Sequence, residues 1–490
     1  MERLRLKQDS VLFSVVIPVY NIENYVQQCL DSVIEQENEN IEIVIVDDGS
    51  TDQSRQICMQ YAEINPVVKY VRQKNAGLGA ARNTGLMKAC GKYVIFLDSD
   101  DYWNRNCIEK MQDCISKYPY LDIVYFDSDV IYENQITERN EAYDLQMYNR
   151  KGKMKEKIFQ GVEFFNEAYP RHFNVSACMA VYRRKFLLEN RILFPQNVLY
   201  EDNPFSLQAV LKAFYVKYLP EKLYVRRYRA SSIMTRDINH ESLRSSAQIF
   251  NLVMDYVDRE QEQYEEIVLR KMKNFAFDLA HAFWLKCSVY CDKSSIMLQT
   301  KEKIYKRVYD SVSKKEKKDL WLEEWVILIH LTDYLVKDKE MEGVCEYIKG
   351  REEISSLDEL ISKYKKEYSL KVKEKIRKQF QYYSNKKLGI YGKGNHTVQL
   401  LKTLDRLKIM PKKLFLIDST VVSGTQEMQG LSVLNIKDVP EDTEIVVISS
   451  YLYEQEMYET AVQYLPKHLK IEKIYSDEIR EICWEWLCDV

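Results

Sequence analysis

In the first quarter of the chain, three apolar runs each end in polar, acid-bearing or turn-forming residues: Pro18-Val19-Tyr20-Asn21, Asp47-Asp48-Gly49-Ser50 and Asp98-Ser99-Asp100-Asp101. Brought to one edge of a sheet, such turns make a site for cation-bridged phosphates. Asp98 and Asp100 are separated by one residue, so they share a side wherever strand geometry persists. Mg2+ or Mn2+ is typically held by one or two carboxylates plus substrate phosphates, so the metal is expected to arrive with a diphosphate. The plainer alternative is helix capping, for which Asp is favoured by hydrogen bonding and by the helix dipole. Capping accounts for one Asp and not for three. Asp127-Ser128-Asp129 is a local control, since it too follows an apolar run, Ile123 to Phe126.

The elements that must position these turns are legible in the hydrophobic pattern. Apolar runs at Phe13 to Ile17, Ile41 to Val46, Val67 to Arg72 and Tyr93 to Leu97 alternate with amphipathic stretches at Asn24 to Gln36, Gln53 to Asn65 and Ala76 to Ala89. Short β-rich runs separated by helices of this length predict βαβ units in a mainly parallel sheet, whose ligands bind beyond the carboxyl ends of the strands. From Glu241 to about Lys386 the pattern changes to long Lys/Glu-rich helical stretches, such as Asp255 to Leu285 and Ile354 to Tyr382, which read as a helical domain or linker. A second α/β unit is predicted from Leu388 to Gly394, with further strands at Lys413 to Ile417 and Glu444 to Ser449.

Four blocks in order, Phe13 to Asn21, Ile45 to Asp52, Asn75 to Gly85 and Phe96 to Asp101, resemble the family 2 glycosyltransferases of the GT-A fold, a likeness that extends to about residue 235. The resemblance implies an α/β GT-A (nucleotide-diphospho-sugar transferase) domain at 1–235; the pattern adds a helical region at 236–385, and 386–490 resembles the small Rossmann-like α/β modules found beside sugar-modifying enzymes of bacterial surface polysaccharides. It implies that Pro18, Tyr20, Asp47 and Asp48 hold the base and ribose, and that Arg82 and Asn83 line the nucleotide pocket. Asp98 and Asp100 match the D-x-D pair, with Asp100 the leading ligand of Mn2+ or Mg2+ and Asp101 supporting. Gly79 and Gly85 permit close backbone approach or serve helix packing.

Leu199 to Phe205 resembles the family's Glu-Asp motif, which makes Asp202 the general base. One base suffices when a cation stabilises the departing diphosphate, and the implied outcome is inversion at the anomeric carbon. Locally, Asp202 ahead of Pro204 also fits a helix N-terminus. Arg226 to Ser232 lies where the family carries a basic, Ser-containing segment. There Arg227 or Arg229 closes over the diphosphate, a solvated charged loop being the alternative.

Composition bounds the partners. Apolar residues make up 46% and charged residues 30%, which supports globular domains, and a net charge of −3 gives no basic excess for nucleic-acid binding. The implied partners are a nucleoside-diphosphate sugar, expected as UDP-linked, and a glycan or lipid-linked acceptor of surface polysaccharide synthesis. The opening MERLRLKQDS has no signal-like apolar stretch, so residence in the cytoplasm is expected, peripheral at the inner face of the plasma membrane if basic stretches such as Lys363 to Lys378 touch anionic lipid. Eleven scattered cysteines read as reduced thiols, Cys287 and Cys291 included, and the oligomeric state stays open. Gly392-Lys393-Gly394 lacks the third fingerprint glycine, Thr397 standing in its place, and reads as an accessory module. Two other classes stay in play: a catalytically silent nucleotide-sugar-binding or scaffold protein, and a sugar nucleotidyltransferase, against which Phe13 to Asn21 lacks a Gly-rich basic phosphate loop. Acceptor choice is expected from pocket shape in residues 103–200.

Overall fold

The computed structural model describes residues 11–133, 147–230, 232–290, 292, 294–313, 320, 322–338, 340–421, 426–450, 454–475 and 482–487. The readings made at residues 1–10, Ser231 and Cys291 fall outside them. The chain forms two compact units, Met1–Asp292 and Lys293–Val490.

In the first unit the elements run β1 (Phe13–Val19), α1 (Val26–Ile34), β2 (Ile41–Asp47), α2 (Ser54–Ile64), β3 (Val68–Arg72), α3 (Leu78–Lys88), β4 (Tyr93–Phe96), β5 (Tyr102–Trp103), α4 (Cys107–Lys117) and β6 (Ile123–Tyr132). They continue with β7 (Ile158–Phe159), α5 (Gly161–Ala168), β8 (Ala180–Arg183), α6 (Arg184–Glu189), α7 (Asp202–Lys212), β9 (Val216–Tyr228), α8 (His240–Glu260) and α9 (Glu266–Val289). The strands order as β3-β2-β1-β4-β8-β6-β9-β5, with β7 on β9. Every residue of β1, β2 and β4 is buried, as expected of parallel strands covered on both faces.

Register places the chemistry. β1 pairs parallel with β2, Val19 facing Asp47, and with β4, Val16 facing Phe96, so the turns after all three strands emerge at one edge. β5 pairs antiparallel with β9, Tyr102 facing Val225, which carries Arg226 and Arg227 alongside Asp101 and Asp100. Beneath this edge Phe194 and Phe205 stack at 3.8 Å between centroids, and Phe96 meets Phe194 edge-on at 5.0 Å, a rigid apolar floor.

The first compact unit takes in the helices after residue 235 and runs to Asp292. α8 buries Leu243, Ala247, Ile249, Phe250, Val253 and Met254, and α9 buries Met272, Ala276, Ala280 and Phe283, faces that need partners to leave water. The stretch read as one helix from Asp255 to Leu285 is broken at Gln261–Gln263 by a 3-10 turn, which lets α9 fold back on α8. Asn239 caps α8 reciprocally with Ser242.

The second unit holds α10 (Ser295–Ser313), α11 (Leu322–Lys337), α12 (Glu342–Glu352) and α13 (Leu357–Tyr382), then a smaller sheet. The Ser356 side chain accepts from Glu359 N and starts α13. The sheet comprises β10 (Lys387–Tyr391), β11 (Lys413–Ile417), β12 (Gln426–Met428), β13 (Leu431–Leu434), β14 (Ile445–Ile448) and β15 (Lys470–Lys473), with α14 (Asn395–Arg406) and α15 (Glu454–Tyr464). Its order is β12-β13-β11-β10-β14-β15, parallel except for β12. Among the described residues no helix is long and apolar enough to cross a membrane, and Cys29, Cys58, Cys90, Cys107, Cys114, Cys178 and Cys345 are free thiols.

Candidate active site

The tip of β2 carries two adjacent carboxylates, and the pleat sends them opposite ways. Asp47 turns into the fold, where it accepts from Ser50 N at 2.7 Å and from Tyr70 Oη at 2.6 Å, with Arg72 at 3.4 Å. Asp48 turns to a cavity of about 910 Å³ at the strand tips. Its Oδ1 accepts from Gln73 Nε2 at 2.7 Å and Ala76 N at 2.9 Å, and its Oδ2 from Gly77 N at 2.8 Å. Those bonds fix the Asn75–Gly77 loop, where Gly77 adopts φ +86°, open to glycine and costly for other residues. Pro18 and Tyr20 line the same cavity from the β1 tip, Tyr20 half exposed.

α3 enters the site tightly. A Cβ on Gly79 would overlap the carbonyl oxygen of Pro195, and one on Gly85 would overlap Val16, so both glycines serve close packing. Asn83 is spent the same way: its side chain donates to Phe194 O at 2.8 Å and accepts from Phe194 N at 3.0 Å, away from the cavity lining. This clamp positions the segment leading to Glu201 and Asp202.

Arg82, 1% exposed, is the hub of the site. It donates to Asp98 Oδ1, Glu201 Oε1 and Asp202 Oδ1, each at 2.7 Å, and lies 5.2 Å from the Phe194 ring centre. One guanidinium thus gathers carboxylates from the β4 tip and the start of α7. Burial opposes ionisation of Asp98, but Arg82 outweighs it and holds this carboxyl below its ordinary range. Burial pushes Asp202 upward against the pull of Arg82, with Asp98 adding to the rise. Glu201 is pushed up to about 7, chiefly by burial and then by Asp202. The Glu-Asp motif gave a role to Asp202 and none to Glu201, its other acid.

The acids after β4 divide their labour. Asp101 is buried; it accepts from Tyr224 Oη at 2.6 Å and Arg227 N at 2.7 Å, pinning β9. Burial and Asp100 push its carboxyl up to about 8. Asp100 lines the cavity and gives one oxygen to Arg229 Nε at 2.9 Å, while burial and Asp98 raise it above the ordinary carboxylate range. Arg227 is fully engaged, with Asp100 O at 2.8 Å, Gln28 Oε1 at 2.7 Å and Glu133 at 3.5 Å. Arg226, not singled out from the sequence, lines the cavity with its guanidinium 5.7 Å from Tyr148 and 5.5 Å from Tyr228. The control motif is structural: Asp127 pairs with the buried Arg150 and Tyr218, and Asp129 with Lys222.

Among the described residues no group of three or more His, Cys, Asp or Glu is disposed as a metal cage. The donor chemistry nonetheless fits a cation shared with a substrate, because Asp100 lines the cavity and its second oxygen carries no hydrogen bond from another described residue. Asp98 and Asp101, expected as further ligands, also line the cavity; Arg82 donates to Asp98 Oδ1, and Tyr224 and Arg227 donate to Asp101. The cavity extends past the strand tips to a wall from residues 232–286, beyond the 103–200 segment expected to shape it.

Comparison with known proteins agrees with this geometry. The family model described as Glycosyl transferase family 2 matches residues 14–190. The chain is 36% identical over 226 residues to glycosyltransferase GlyA of Streptococcus pneumoniae serotype 4, covering 45% of this chain and 31% of GlyA. It is 30% identical over 251 residues to glycosyltransferase GlyG of the same organism, covering 49% of this chain and 79% of GlyG. Of other curated relatives, EpsJ and EpsH of Bacillus subtilis, the chain spans 62% of the length. Among solved structures, S. aureus TarS 1-349 in complex with UDP-GlcNAc aligns at TM-score 0.48 and 20% identity, covering 69% of this chain and 92% of that one.

Proposed function

Since the chain belongs to glycosyl transferase family 2, we propose that it moves one sugar from a nucleoside diphosphate, UDP foremost, to a hydroxyl of a glycan or lipid-linked acceptor, with inversion. The observation that carries this reading is the junction at Arg82, which joins Asp98, Glu201 and Asp202 on one cavity that also receives Asp48 and Asp100.

In this reading the base and ribose lie between Pro18, Tyr20 and the loop held by Asp48. Asp202, at the N-terminus of α7, takes the proton of the attacking hydroxyl. Arg82 engages Oδ1 and a backbone hydrogen bond from Ala177 also holds this carboxylate, so the base is fixed in place for the proton transfer. Arg82 keeps the carboxylate ionised and aimed. Arg229 and Arg226 face the diphosphate from β9, with Arg227 latching their segment to α1. Asp100 would hold Mn2+ or Mg2+, which when bound would neutralise charge on the leaving group. Surface polysaccharide synthesis is the setting we assign, with the chain in the cytoplasm and in peripheral contact with the membrane face that presents the acceptor.

The test incubates the protein with UDP-, GDP- and dTDP-sugars and Mn2+ and measures release of nucleoside diphosphate. Release from one donor, abolished by Asp202→Asn while that donor still binds, is the expected result. Binding of a donor with no release from any of them, acceptor extracts included, would instead make the chain a silent nucleotide-sugar-binding protein.

A further inference from the structure

The outer wall of the cavity, from α8 and α9, lies beyond the segment matched by the family model. Lys286 of α9 reaches into it. Its Nζ donates to Ser246 Oγ of α8 at 2.6 Å and sits 3.8 Å from the ring centre of Tyr200, the residue preceding Glu201 and Asp202. Tyr200 is held at φ +65°, a conformation that costs a bulky residue energy and persists only where the surroundings impose it. Lys286 has no carboxylate partner among the described residues, and burial lowers its ammonium to about 8. Arg244, two residues before Ser246, lines the same cavity; its described bond is to a neutral acceptor, the Asn197 carbonyl at 3.3 Å. By contrast Arg236, on the same wall, is neutralised by Glu241 at 3.0 Å.

A half-buried cation without a counterion is unfavourable in the empty protein and becomes favourable when an anion arrives. In the reading above the donor's own diphosphate is served by Arg226, Arg229 and Asp100, from the β4 tip and the end of β9, so the anion at Lys286 of α9 belongs to the second substrate. We propose that Lys286 and Arg244 form an acceptor subsite for a phosphate group, so that the sugar acceptor is a phosphate-bearing molecule whose hydroxyl is delivered to Asp202. Tyr200 links the subsite to the base: an anion that draws Lys286 moves the residue next to the Glu201–Asp202 pair. This rests on the donor reading above, and its test separates the two.

The protein is kept saturated with UDP and Mn2+, and glycerol 3-phosphate or dihexanoyl phosphatidic acid is titrated in by calorimetry, with glycerol as the neutral control. Wild type binds a phosphate probe and not glycerol. Lys286→Met and the exposed Arg244→Ala each weaken that binding about ten- to a hundredfold, Lys286→Arg largely retains it, and UDP affinity stays within about twofold in all three. Tighter binding of the phosphatidic acid points to a lipid-borne phosphate, and tighter binding of glycerol 3-phosphate to one on a soluble or polymeric acceptor. If UDP binds and neither phosphate probe does, or if both variants bind the probes as wild type does, the subsite is refuted and the donor reading stands. If UDP itself fails to bind, both fall.

Discussion

Replacing Arg82 by Gln tests whether one buried guanidinium holds the site together. The substitution removes three charge-assisted bonds of 2.7 Å and leaves Asp98, Glu201 and Asp202 facing one another with no cation between them. Breaking a buried ion pair by deleting one partner costs about 3–5 kcal/mol. At about 2–4 °C per kcal/mol for a large domain, the melting transition of the Met1–Asp292 unit should fall by on the order of 10 °C. The loss should also depend on pH with a definite sign. Glu201 already sits at about 7, above its unfolded value, so its contribution to stability is full below the ordinary carboxylate range and is lost as pH rises through about 7. Without Arg82 the folded-state values of Glu201 and Asp202 climb further, and the window of loss widens upward. Urea unfolding followed by circular dichroism should therefore show a larger deficit at about pH 8 than at about pH 5.5. Adding Glu201→Gln, which removes one of the stranded charges, should recover part of it. A deficit under about 1 kcal/mol, or one equal at both pH values, would refute the reasoning.

Asp202→Asn should lower transfer by at least about a hundredfold with donor affinity preserved, as expected for loss of a general base. In the wild type, burial of Asp202 should place the acid limb of the pH–rate profile above the ordinary Asp range, since the base must be ionised to work. Asp100→Ala should leave stability nearly unchanged yet erase the Mn2+ dependence of UDP binding measured by calorimetry. Asp101→Ala should do the reverse first, costing about 1–3 kcal/mol in denaturant unfolding because Tyr224 Oη and Arg227 N lose their acceptor. Gly79→Ala should push the Pro195 segment away from α3 and reduce activity together with stability, the latter by about 1–3 kcal/mol.

Strand–helix alternation in residues 13–101 was fully legible, because buried parallel strands leave continuous apolar runs between amphipathic helices of modest length. So was the convergence of Asp48, Asp98, Asp100 and Asp202. What the pattern hid was parity and partnership. Asp47 and Asp48 are chemically equal in sequence, and only the pairing of Asp47 with Arg72 across β3 shows which one faces inward. Asn83 looked like a ligand group and is a backbone clamp on Phe194, a contact 111 residues away in sequence. Glu201 acquires its place through Arg82, 119 residues upstream, and Arg226 through the β5–β9 register. That α8 and α9 belong to the Met1–Asp292 unit was hidden for a related reason, since amphipathicity reports that a helix buries a face without reporting against what.

The account stands on a cation shared between Asp100 and a diphosphate at the strand tips. The most direct measurement is anomalous diffraction from crystals grown with UDP and Mn2+. The account predicts a single strong Mn2+ peak about 2.0–2.2 Å from the Asp100 carboxylate and from diphosphate oxygens, with Arg82 still bound to Asp98, Glu201 and Asp202. A UDP molecule bound elsewhere, or a Mn2+ peak remote from Asp100, would contradict it.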